Sequence, residues 1–156
     1  MRILPSVVGG GATAASMLVA LAELGCRDVV LLVREPARAH ETLAAVARLE
    51  RPPRVRVEAL TGRPLEADLV VSTVPATAQT RDLLARLAQI PVVFEVVYDG
   101  WPTPLAEAAT GRTLVAGLDL LVHQAALQVG LMTGCEPSPE VVSAMRAAGE
   151  SALVRR

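Results

Sequence analysis

Val7-Val8-Gly9-Gly10-Gly11-Ala12-Thr13-Ala14 takes a short apolar strand into a glycine turn and then into a helix. In a G-x-G-x-x-A turn the first glycine permits the tight turn, and the second lets the backbone approach a phosphate. The small third residue lets the helix and the strand pack closely. The free N–H groups and the positive end of the helix dipole then face the anion. The stretch therefore predicts a binding site for the pyrophosphate of a dinucleotide, with a glycine turn that binds no ligand as the alternative.

The end of the next apolar run indicates which dinucleotide would bind. Asp28–Val33 is almost entirely apolar, as expected of a parallel strand that is covered on both faces. NAD enzymes usually carry an acid at the position of Val33, whereas here Arg34 and Arg38 follow, and guanidinium groups suit the additional 2′-phosphate of NADP. Glu35 lies between them and could repel that phosphate or orient an arginine. NADP is therefore the preferred cofactor, with NAD possible and with two solvated arginines as the structural alternative.

Strands and helices alternate along the chain, which predicts an α/β fold with a Rossmann-like, doubly wound parallel sheet. We expect about six strands in the order 3-2-1-4-5-6, followed by two C-terminal helices. The strands are predicted near Ile3–Val8, Asp28–Val33, Arg54–Glu58, Asp68–Val74, Pro91–Val97 and Thr113–Ala116. The helices are predicted near Ala12–Leu24, Pro36–Leu49, Thr77–Ala88, Pro104–Ala109, Leu120–Thr133 and Pro139–Ala152. Pro5 is unsuited to a central strand, so the first strand is expected to be effective from Ser6 or to exclude the residues up to Pro5.

Composition excludes several classes of function. The chain has 156 residues, a net charge of −1 and one residue each of Trp, Tyr and Phe, so it lacks the basic patch and the stacking surface that nucleic acids require. No apolar run reaches the ~18 residues of a membrane span and no leader precedes the first strand, so we expect a cytoplasmic protein. Cys26 and Cys135 are predicted to be small buried hydrophobes. All fifteen basic residues are arginine, which excludes lysine chemistry for this polypeptide alone.

Other candidate site residues follow the later strands. Ser72-Thr73-Val74-Pro75 ends a buried strand, and strand carboxyl ends line the ligand crevice of such folds, so these residues are expected beside the riboses. Tyr98, at the end of the next strand, could donate its hydroxyl to a ligand or simply pack with a solvated tip. Thr103 is predicted to cap a helix, and so is Asp119, which follows Gly117 at the crevice.

The helix that follows Asp119 is apolar on nearly every side. One sheet can cover only one of those sides, so the helix needs a second partner. His123 and Gln124 interrupt the apolar run. Gln124 could hydrogen-bond a polyol or lie in an interface, and His123 is interpreted as a surface residue. An apolar face of this kind predicts association, and we expect a homodimer through the last two helices.

Four blocks together resemble the cofactor domain of the shikimate dehydrogenases, in the version typical of high-GC actinobacteria. The blocks are Gly9 to Ala14, Arg34 to Arg38, Asp68 to Pro75, and Tyr98 to Leu105 with Gly117 to Ala125. The last pair is the most specific, because the family usually reads Tyr and later Thr-Pro-Leu, followed by Gly-x-Gly-Met-Leu-Val-x-Gln-Ala. The resemblance implies reduction of 3-dehydroshikimate to shikimate with NADPH, in aromatic amino-acid biosynthesis.

The resemblance also implies roles for individual residues. The glycine loop would hold the pyrophosphate, and Arg34 and Arg38 the 2′-phosphate. Gly117 would lie beside the nicotinamide with Leu120, which stands where the family usually has methionine. Tyr98 and Gln124 would lie near the shikimate hydroxyls. The sequence departs from the family at other positions: Val33 and Glu35 replace the Asn and Thr of an Asn-Arg-Thr phosphate motif, Gly100 replaces a proline, and Asp119 replaces a glycine.

The family's catalytic lysine and aspartate belong to an N-terminal domain that has no counterpart in this sequence. We therefore expect residues 1–117 to be the dinucleotide-binding domain, and residues 118–156 to be helices that pack on that absent domain or on a partner subunit. Shikimate would bind only if the N-terminal domain is supplied, and the chain would be inactive alone. Two alternatives stay open: a non-catalytic NAD(P)-binding or regulatory module, and a quinate/shikimate dehydrogenase relative that prefers NAD.

Overall fold

The computed structural model describes residues 3–154, without the side chains of Arg38 and Val154. Within this part of the chain, six parallel strands form one sheet in the order β3-β2-β1-β4-β5-β6, which confirms the predicted fold class and strand order. The strands are β1 (Pro5–Val8), β2 (Asp28–Val33), β3 (Arg54–Ala59), β4 (Leu69–Ser72), β5 (Val92–Glu95) and β6 (Thr113–Ala116). The helices are α1 (Ala12–Glu23), α2 (His40–Val46), α3 (Arg81–Leu87), α4 (Pro104–Ala108), α5 (Gly117–Thr133) and α6 (Pro139–Val154).

Each face of the sheet carries its own hydrophobic core, because alternate residues of a strand point to opposite faces. Val7 belongs to the core that α1 and α2 cover, together with Leu18 and Leu31. Val8 belongs to the opposite core, with Leu83 of α3 and Leu105 of α4. The continuous apolar runs of β1 and β2 are thus explained by burial on both sides.

Pro5 is the first residue of β1 and pairs with Leu69, so the strand begins one residue earlier than expected. A proline is tolerated at the first position of a strand. The backbone just before it is hydrogen-bonded to Asp68, the residue that precedes β4. The N–H of Leu4 donates to the carboxylate of Asp68 at 2.8 Å, and the N–H of Asp68 donates to the carbonyl of Leu4 at 2.9 Å.

Two predicted helices are interrupted near their starts. The first consists of a 3₁₀ turn, Pro36–Ala39, followed by α2. In the second, a 3₁₀ turn at Ala76–Ala78 is separated from α3 by Gln79, whose side chain is buried, and by Thr80, whose hydroxyl oxygen accepts the N–H of Leu83. Hydrogen bonds of the Gln79 side chain to Glu95 and to the N–H of Leu105 account for this second break.

The C-terminal pair of helices begins directly at the edge of the sheet. α5 starts at Gly117 rather than at Leu120. Asp119 is the third residue of the helix, and its carboxylate accepts the N–H of Ala116 at 3.1 Å. The expectation that Asp119 precedes the helix as its cap was therefore wrong. The same carboxylate pairs with Arg146 of α6. Closer to the end of α6, Leu118 of α5 packs directly against Gly149. A β-carbon built on this glycine would lie 2.7 Å from a methyl group of Leu118.

Large apolar side chains remain exposed on this pair of helices. Leu127, Leu131 and Met132 are 71%, 87% and 85% exposed. Cys135, which follows α5, is exposed as well, so the expectation that it is buried was wrong, whereas Cys26 is half-buried. No helix within residues 3–154 combines the length and apolarity that crossing a bilayer requires.

Arg86 of α3 holds the segment that follows β3. Its side chain is only 5% exposed, and one guanidinium nitrogen donates to the carbonyl oxygens of Ala59 at 3.0 Å and Thr61 at 2.6 Å. The other terminal nitrogen pairs with Glu58. A β-carbon at Gly62 would lie 2.4 Å from the guanidinium, so the chain passes very close to Arg86.

Replacing this arginine is expected to destabilise the domain. Arg86→Met leaves two carbonyl groups without their donor and removes one of the two arginines that pair with Glu58, and should lower the free energy of unfolding by about 2–4 kcal/mol. Urea unfolding followed by far-UV circular dichroism measures the loss. Arg81→Met, on the exposed side of the same helix, is the control and should change stability by less than about 0.5 kcal/mol. Equal effects of the two substitutions would contradict the role of Arg86.

Candidate functional site

The glycine turn between β1 and α1 can be built only with glycine at its first position. Gly9 has φ +121°, a conformation that residues with a side chain rarely adopt, and its N–H donates to the carbonyl of Leu32 at 2.9 Å. A β-carbon at Gly9 would lie 2.3 Å from the hydroxyl oxygen of Thr73, at the end of β4. Backbone conformation and lack of space therefore both require this glycine.

Two threonine hydroxyls hold the turn from opposite sides. Thr73 donates to the carbonyl of Val8 at 2.8 Å, and Thr42, buried on α2, donates to the carbonyl of Gly10 at 2.8 Å. The Thr73 hydroxyl is thus engaged with the backbone of the turn, whereas the sequence suggested contact with a ribose. Thr42 carries no recognisable sequence signal, because its role depends on how α2 packs against the turn.

Gly11 differs from Gly9, because there is open space at the position that a side chain would occupy. It is the N-cap residue of α1, it is exposed, and a β-carbon built on it would meet no protein atom within 4 Å. Ala12 and Thr13 are exposed in the first turn of the helix, where the N–H groups have no acceptor within the helix, while Ala14 is fully buried beneath them. The turn therefore presents free backbone donors to an open side, as anion binding requires.

A cleft of about 760 Å³ opens at this turn, on the side of the carboxyl ends of the strands. Its volume lies within the range of about 300–1,000 Å³ that is typical of small-molecule sites. The lining residues are Gly9, Gly10, Gly11, Val33, Arg34, Ala37, His40, Glu41, Leu60, Val74, Pro75 and Ala78. The structure thus brings the glycine turn, the end of β2 and the end of β4 together around one cavity.

Charged groups in the cleft come from the end of β2 and the start of α2. Arg34 is exposed, and no carboxylate among the described residues forms an ion pair with it. His40 and Glu41 line the same cavity. The side chain of Arg38, the second predicted phosphate ligand, lies outside the described residues. Among the described residues, the guanidinium that faces the cleft is therefore that of Arg34.

Behind the cleft, a buried carboxylate joins three segments at the carboxyl edge of the sheet. Glu95 ends β5 and is fully buried. It accepts hydrogen bonds from the Gln79 amide at 2.6 Å, the Thr103 hydroxyl at 2.9 Å and the N–H of Val97 at 3.2 Å. Gln79 also accepts the N–H of Leu105 at 2.8 Å. The network fixes the ends of β4 and β5 relative to α4.

Thr103 has two functions in this network. Besides donating to Glu95, its hydroxyl oxygen accepts the N–H of Ala106 at 3.2 Å, which confirms the predicted N-cap of α4. Ser72, the neighbour of Glu95 in the sheet register, is buried and faces the interior instead of the cleft. The burial of Glu95 raises its pKa above the ordinary value of 4.5, while the hydrogen bonds from Val97, Thr103 and Gln79 act in the opposite direction.

The remaining predicted site residues lie outside the lining of this cleft. Gly117 is buried against β5, where a β-carbon would lie 2.1 Å from the carbonyl oxygen of Val96. Leu120 is half-buried on α5, and Gln124 is exposed on the same helix. Tyr98 is 39% exposed after β5. Tyr98 and Gly117 follow strands β5 and β6 at the same edge of the sheet as the glycine turn, and Leu120 and Gln124 lie further along α5.

Sequence reasoning missed several residues of the cleft. His40 and Glu41 were placed inside a helix without a role, and Leu60 and Ala78 carry no motif. The first two could have been found, because α2 follows β2 directly and its start must lie near the carboxyl edge of the sheet. Glu95 also carried a signal, since a carboxylate within an apolar strand must find hydrogen-bond partners when it is buried.

A parallel sheet in this order, with a glycine turn and an open cleft at the switch between β1 and β4, defines the class of Rossmann-like α/β domains. The profile of the family described as "Shikimate 5'-dehydrogenase C-terminal domain" matches residues 117–148. The chain is 31% identical over 157 residues to the shikimate dehydrogenase (NADP(+)) of Thermosynechococcus vestitus, covering 94% of this chain and 54% of the relative.

Solved structures agree with this similarity. The shikimate dehydrogenase of Mycobacterium tuberculosis superposes with a TM-score of 0.80 at 34% identity, over 92% of this chain and 56% of that one. A quinate dehydrogenase from Corynebacterium glutamicum in complex with NAD shares the fold, with a TM-score of 0.78 at 24% identity over 97% of this chain and 56% of that one. The chain thus spans about half the length of these proteins. It is a relative of the C-terminal half of the shikimate dehydrogenases, an oxidoreductase family.

The buried carboxylate gives a pH-dependent prediction. Because the pKa of Glu95 is raised in the folded state, folding favours the protonated form, whose stabilisation is complete below 4.5 and is lost as the pH rises through the raised pKa. The free energy of unfolding of the unmodified protein relative to Glu95→Gln should therefore fall as the pH increases from 4.5.

Urea unfolding at a series of pH values measures this difference. Glu107→Gln, which removes an exposed carboxylate from α4, controls for the change in net charge. A difference between the unmodified protein and Glu95→Gln that grows in favour of the unmodified protein as the pH rises would contradict the prediction.

Proposed function

We propose that this chain is the cofactor-binding part of an NADP-dependent shikimate dehydrogenase, which interconverts 3-dehydroshikimate and shikimate. One observation carries the proposal: Gly11 presents the N-terminus of α1 to a cleft that also contains the guanidinium of Arg34. The relatives named as shikimate dehydrogenases are matched by this chain over only about half of their length. The activity of the whole enzyme therefore belongs to the proposal.

In this proposal the cleft binds the adenosine diphosphate portion of NADP. Gly9 to Ala14 hold the pyrophosphate through backbone N–H groups, and Arg34 binds the 2′-phosphate, with Arg38 as its expected second ligand. Val74 and Pro75 line the cleft beside the riboses, with Ser72 and Thr73 supporting that wall from inside. Support for NADP comes from Val33, since no acid stands there to bind the ribose hydroxyls.

The nicotinamide of a bound NADP would supply or accept the hydride of the reaction. Gly117 and Leu120 are proposed to border that ring, because α5 begins at Gly117 directly after β6. Tyr98, which follows β5, and Gln124, on α5, are exposed and are proposed to contact shikimate. The sequence contains no lysine, so lysine proton transfer would have to come from an N-terminal half.

We propose that residues 1–117 form the dinucleotide-binding domain and that residues 118–156 pack on that N-terminal half or on a partner subunit. The alternative is an NAD(P)-binding or regulatory module that does not catalyse, because this sequence supplies no lysine. Glu41 in the cleft keeps NAD as an alternative cofactor, since a carboxylate suits ribose hydroxyls.

The proposal is tested by nucleotide binding and turnover. Isothermal titration calorimetry should show that NADP binds more tightly than NAD, and that Arg34→Ala weakens NADP binding by about tenfold or more with little effect on NAD. The chain alone should not oxidise shikimate with NADP, whereas addition of the N-terminal half of a related enzyme should restore oxidation. Absence of binding of both nucleotides would refute the proposal, and binding without restored turnover would favour the non-catalytic module.

Gly11→Ala tests the proposed pyrophosphate site separately from the stability of the protein. Its methyl group meets no protein atom within 4 Å, so the variant should unfold at the same urea concentration as the unmodified chain and yet lose affinity for both nucleotides. Unchanged affinity would place the pyrophosphate elsewhere.

A homodimer through α5 and α6 is the oligomeric state that we propose for the chain on its own. The exposed Leu127, Leu131 and Met132 provide the apolar surface. Light scattering at tens of micromolar should give the mass of a dimer, and Leu131→Glu should give that of a monomer. Leu24→Glu is the control, because Leu24 is 81% exposed at the end of α1. A monomeric unmodified chain would exclude the dimer.

A further inference from the structure

Leu60 belongs to the apolar part of the cleft wall. It follows β3 directly, and it lines the cleft together with Val74 and Ala78. It also borders a smaller cavity of about 360 Å³, which shares Arg34, Leu60 and Ala78 with the lining of the cleft. The side chain of Leu60 is half-buried and packs, like Val74, against the core on the α3 and α4 side of the sheet. The apolar core thus reaches the surface of the cleft at Leu60.

The segment that carries Leu60 has no regular secondary structure to hold it. β3 ends at Ala59 and β4 begins at Leu69, and none of the described residues 60–68 between them belongs to a helix or a strand. A connection of this kind keeps a fixed position only through contacts with other parts of the chain. The position of Leu60 therefore depends on residues outside its own segment.

Arg86 of α3 supplies these contacts on both sides of Leu60. One guanidinium nitrogen donates to the carbonyl oxygen of Ala59, the preceding residue, at 3.0 Å and to that of Thr61, the following residue, at 2.6 Å. The backbone carbonyl of Arg86 accepts the N–H of Leu65 at 2.9 Å. The side chain and the main chain of one residue thus fix the backbone before and after Leu60.

The guanidinium of Arg86 has little freedom to move. Its side chain is only 5% exposed, and it pairs with Glu58 of β3. Gly62 passes so close that a β-carbon there would lie 2.4 Å from a guanidinium nitrogen. Arg86 itself lines neither the cleft nor the smaller cavity, so it can affect a ligand there only through the backbone of residues 59–61.

We propose that Arg86 is a positioning residue for nucleotide binding, because it holds Leu60 in place as an apolar support for the adenine base. This inference rests on the proposed nucleotide-binding function. The N–H groups of the glycine turn suit the pyrophosphate, whereas the faces of a base suit apolar side chains such as Leu60 and Ala78. Adenine is common to NADP and NAD, so this support adds affinity for both, unlike Arg34.

Calorimetric titration of NADP and NAD into the full chain tests the proposal. Arg86→Met should bind both nucleotides about tenfold more weakly than the unmodified protein, with the ratio of the two affinities unchanged. Inorganic pyrophosphate has no base, and should bind equally to the variant and to the unmodified protein. The stoichiometry of each titration gives the folded fraction, so affinity is measured separately from the expected loss of stability. Arg81→Met, on the exposed side of the same helix, is the control and should bind all three ligands normally.

Two further variants test the same connection from the other side. Leu60→Ala should weaken the binding of both nucleotides to a similar extent, and the double variant with Arg86→Met should bind hardly more weakly than either single variant. Gly62→Ala brings a methyl group into the space of the guanidinium and should reproduce the effect of Arg86→Met. Far-UV circular dichroism verifies that each variant is folded, and Gly62→Ala takes the place of Arg86→Met if the latter is not.

A failure of this inference differs from a failure of the proposed function. Normal affinity for both nucleotides in Arg86→Met or in Leu60→Ala refutes the positioning role but leaves the cleft as the nucleotide site, and so does a loss confined to NADP. An equal loss of pyrophosphate affinity also refutes it, because Arg86 then supports the whole cleft. Additive losses in the double variant contradict it, since the two residues then act independently. If the unmodified protein binds neither nucleotide, the proposed function fails together with this inference.

Discussion

The architecture of the cleft depends on the close packing of the Thr73 hydroxyl against Gly9. This hydroxyl donates to the carbonyl of Val8, so it ties the end of β4 to the end of β1 at the point where the strand order reverses. It also occupies the space that a side chain at residue 9 would need. The chain is thereby turned sharply into α1, and the helix begins with its free N–H groups at the edge of the sheet.

The buried Glu95 network ties together the segments that follow β4 and β5, just as Thr73 ties β4 to β1 at the switch point. One carboxylate accepts donors from the loop after β4, from the backbone after β5 and from the cap of α4. Such a network costs desolvation energy, which the raised pKa of Glu95 reflects, and is stable only when each donor is satisfied. The segment with Tyr98 therefore extends from a rigid base. Arg86 holds the segment after β3 in a similar way, from beneath Leu60.

Much of the fold follows from local pattern. The apolar runs of β1 and β2, the glycine turn and the proline and threonine signals of α4 predicted the elements and the strand order correctly, because parallel strands and helix caps have strong local requirements. Errors occurred where distant residues intervene. The buried side chain of Gln79 interrupts the helix predicted from Thr77, and α5 starts three residues early, where the N–H of Ala116 donates to the Asp119 carboxylate. Cys135 is exposed in the segment that follows α5.

The sequence by itself determined the class of the domain and the place of its ligand crevice, since glycine spacing and strand–helix alternation act over a few residues and need no knowledge of distant contacts. It also indicated Arg34, because the end of a strand in this fold faces the crevice. Only the tertiary structure decided which side chains share the cleft and which support it from behind. His40 and Leu60 reach the cleft, while Ser72 and Thr73 turn inward, because these orientations depend on how helices from separate parts of the chain pack on the sheet.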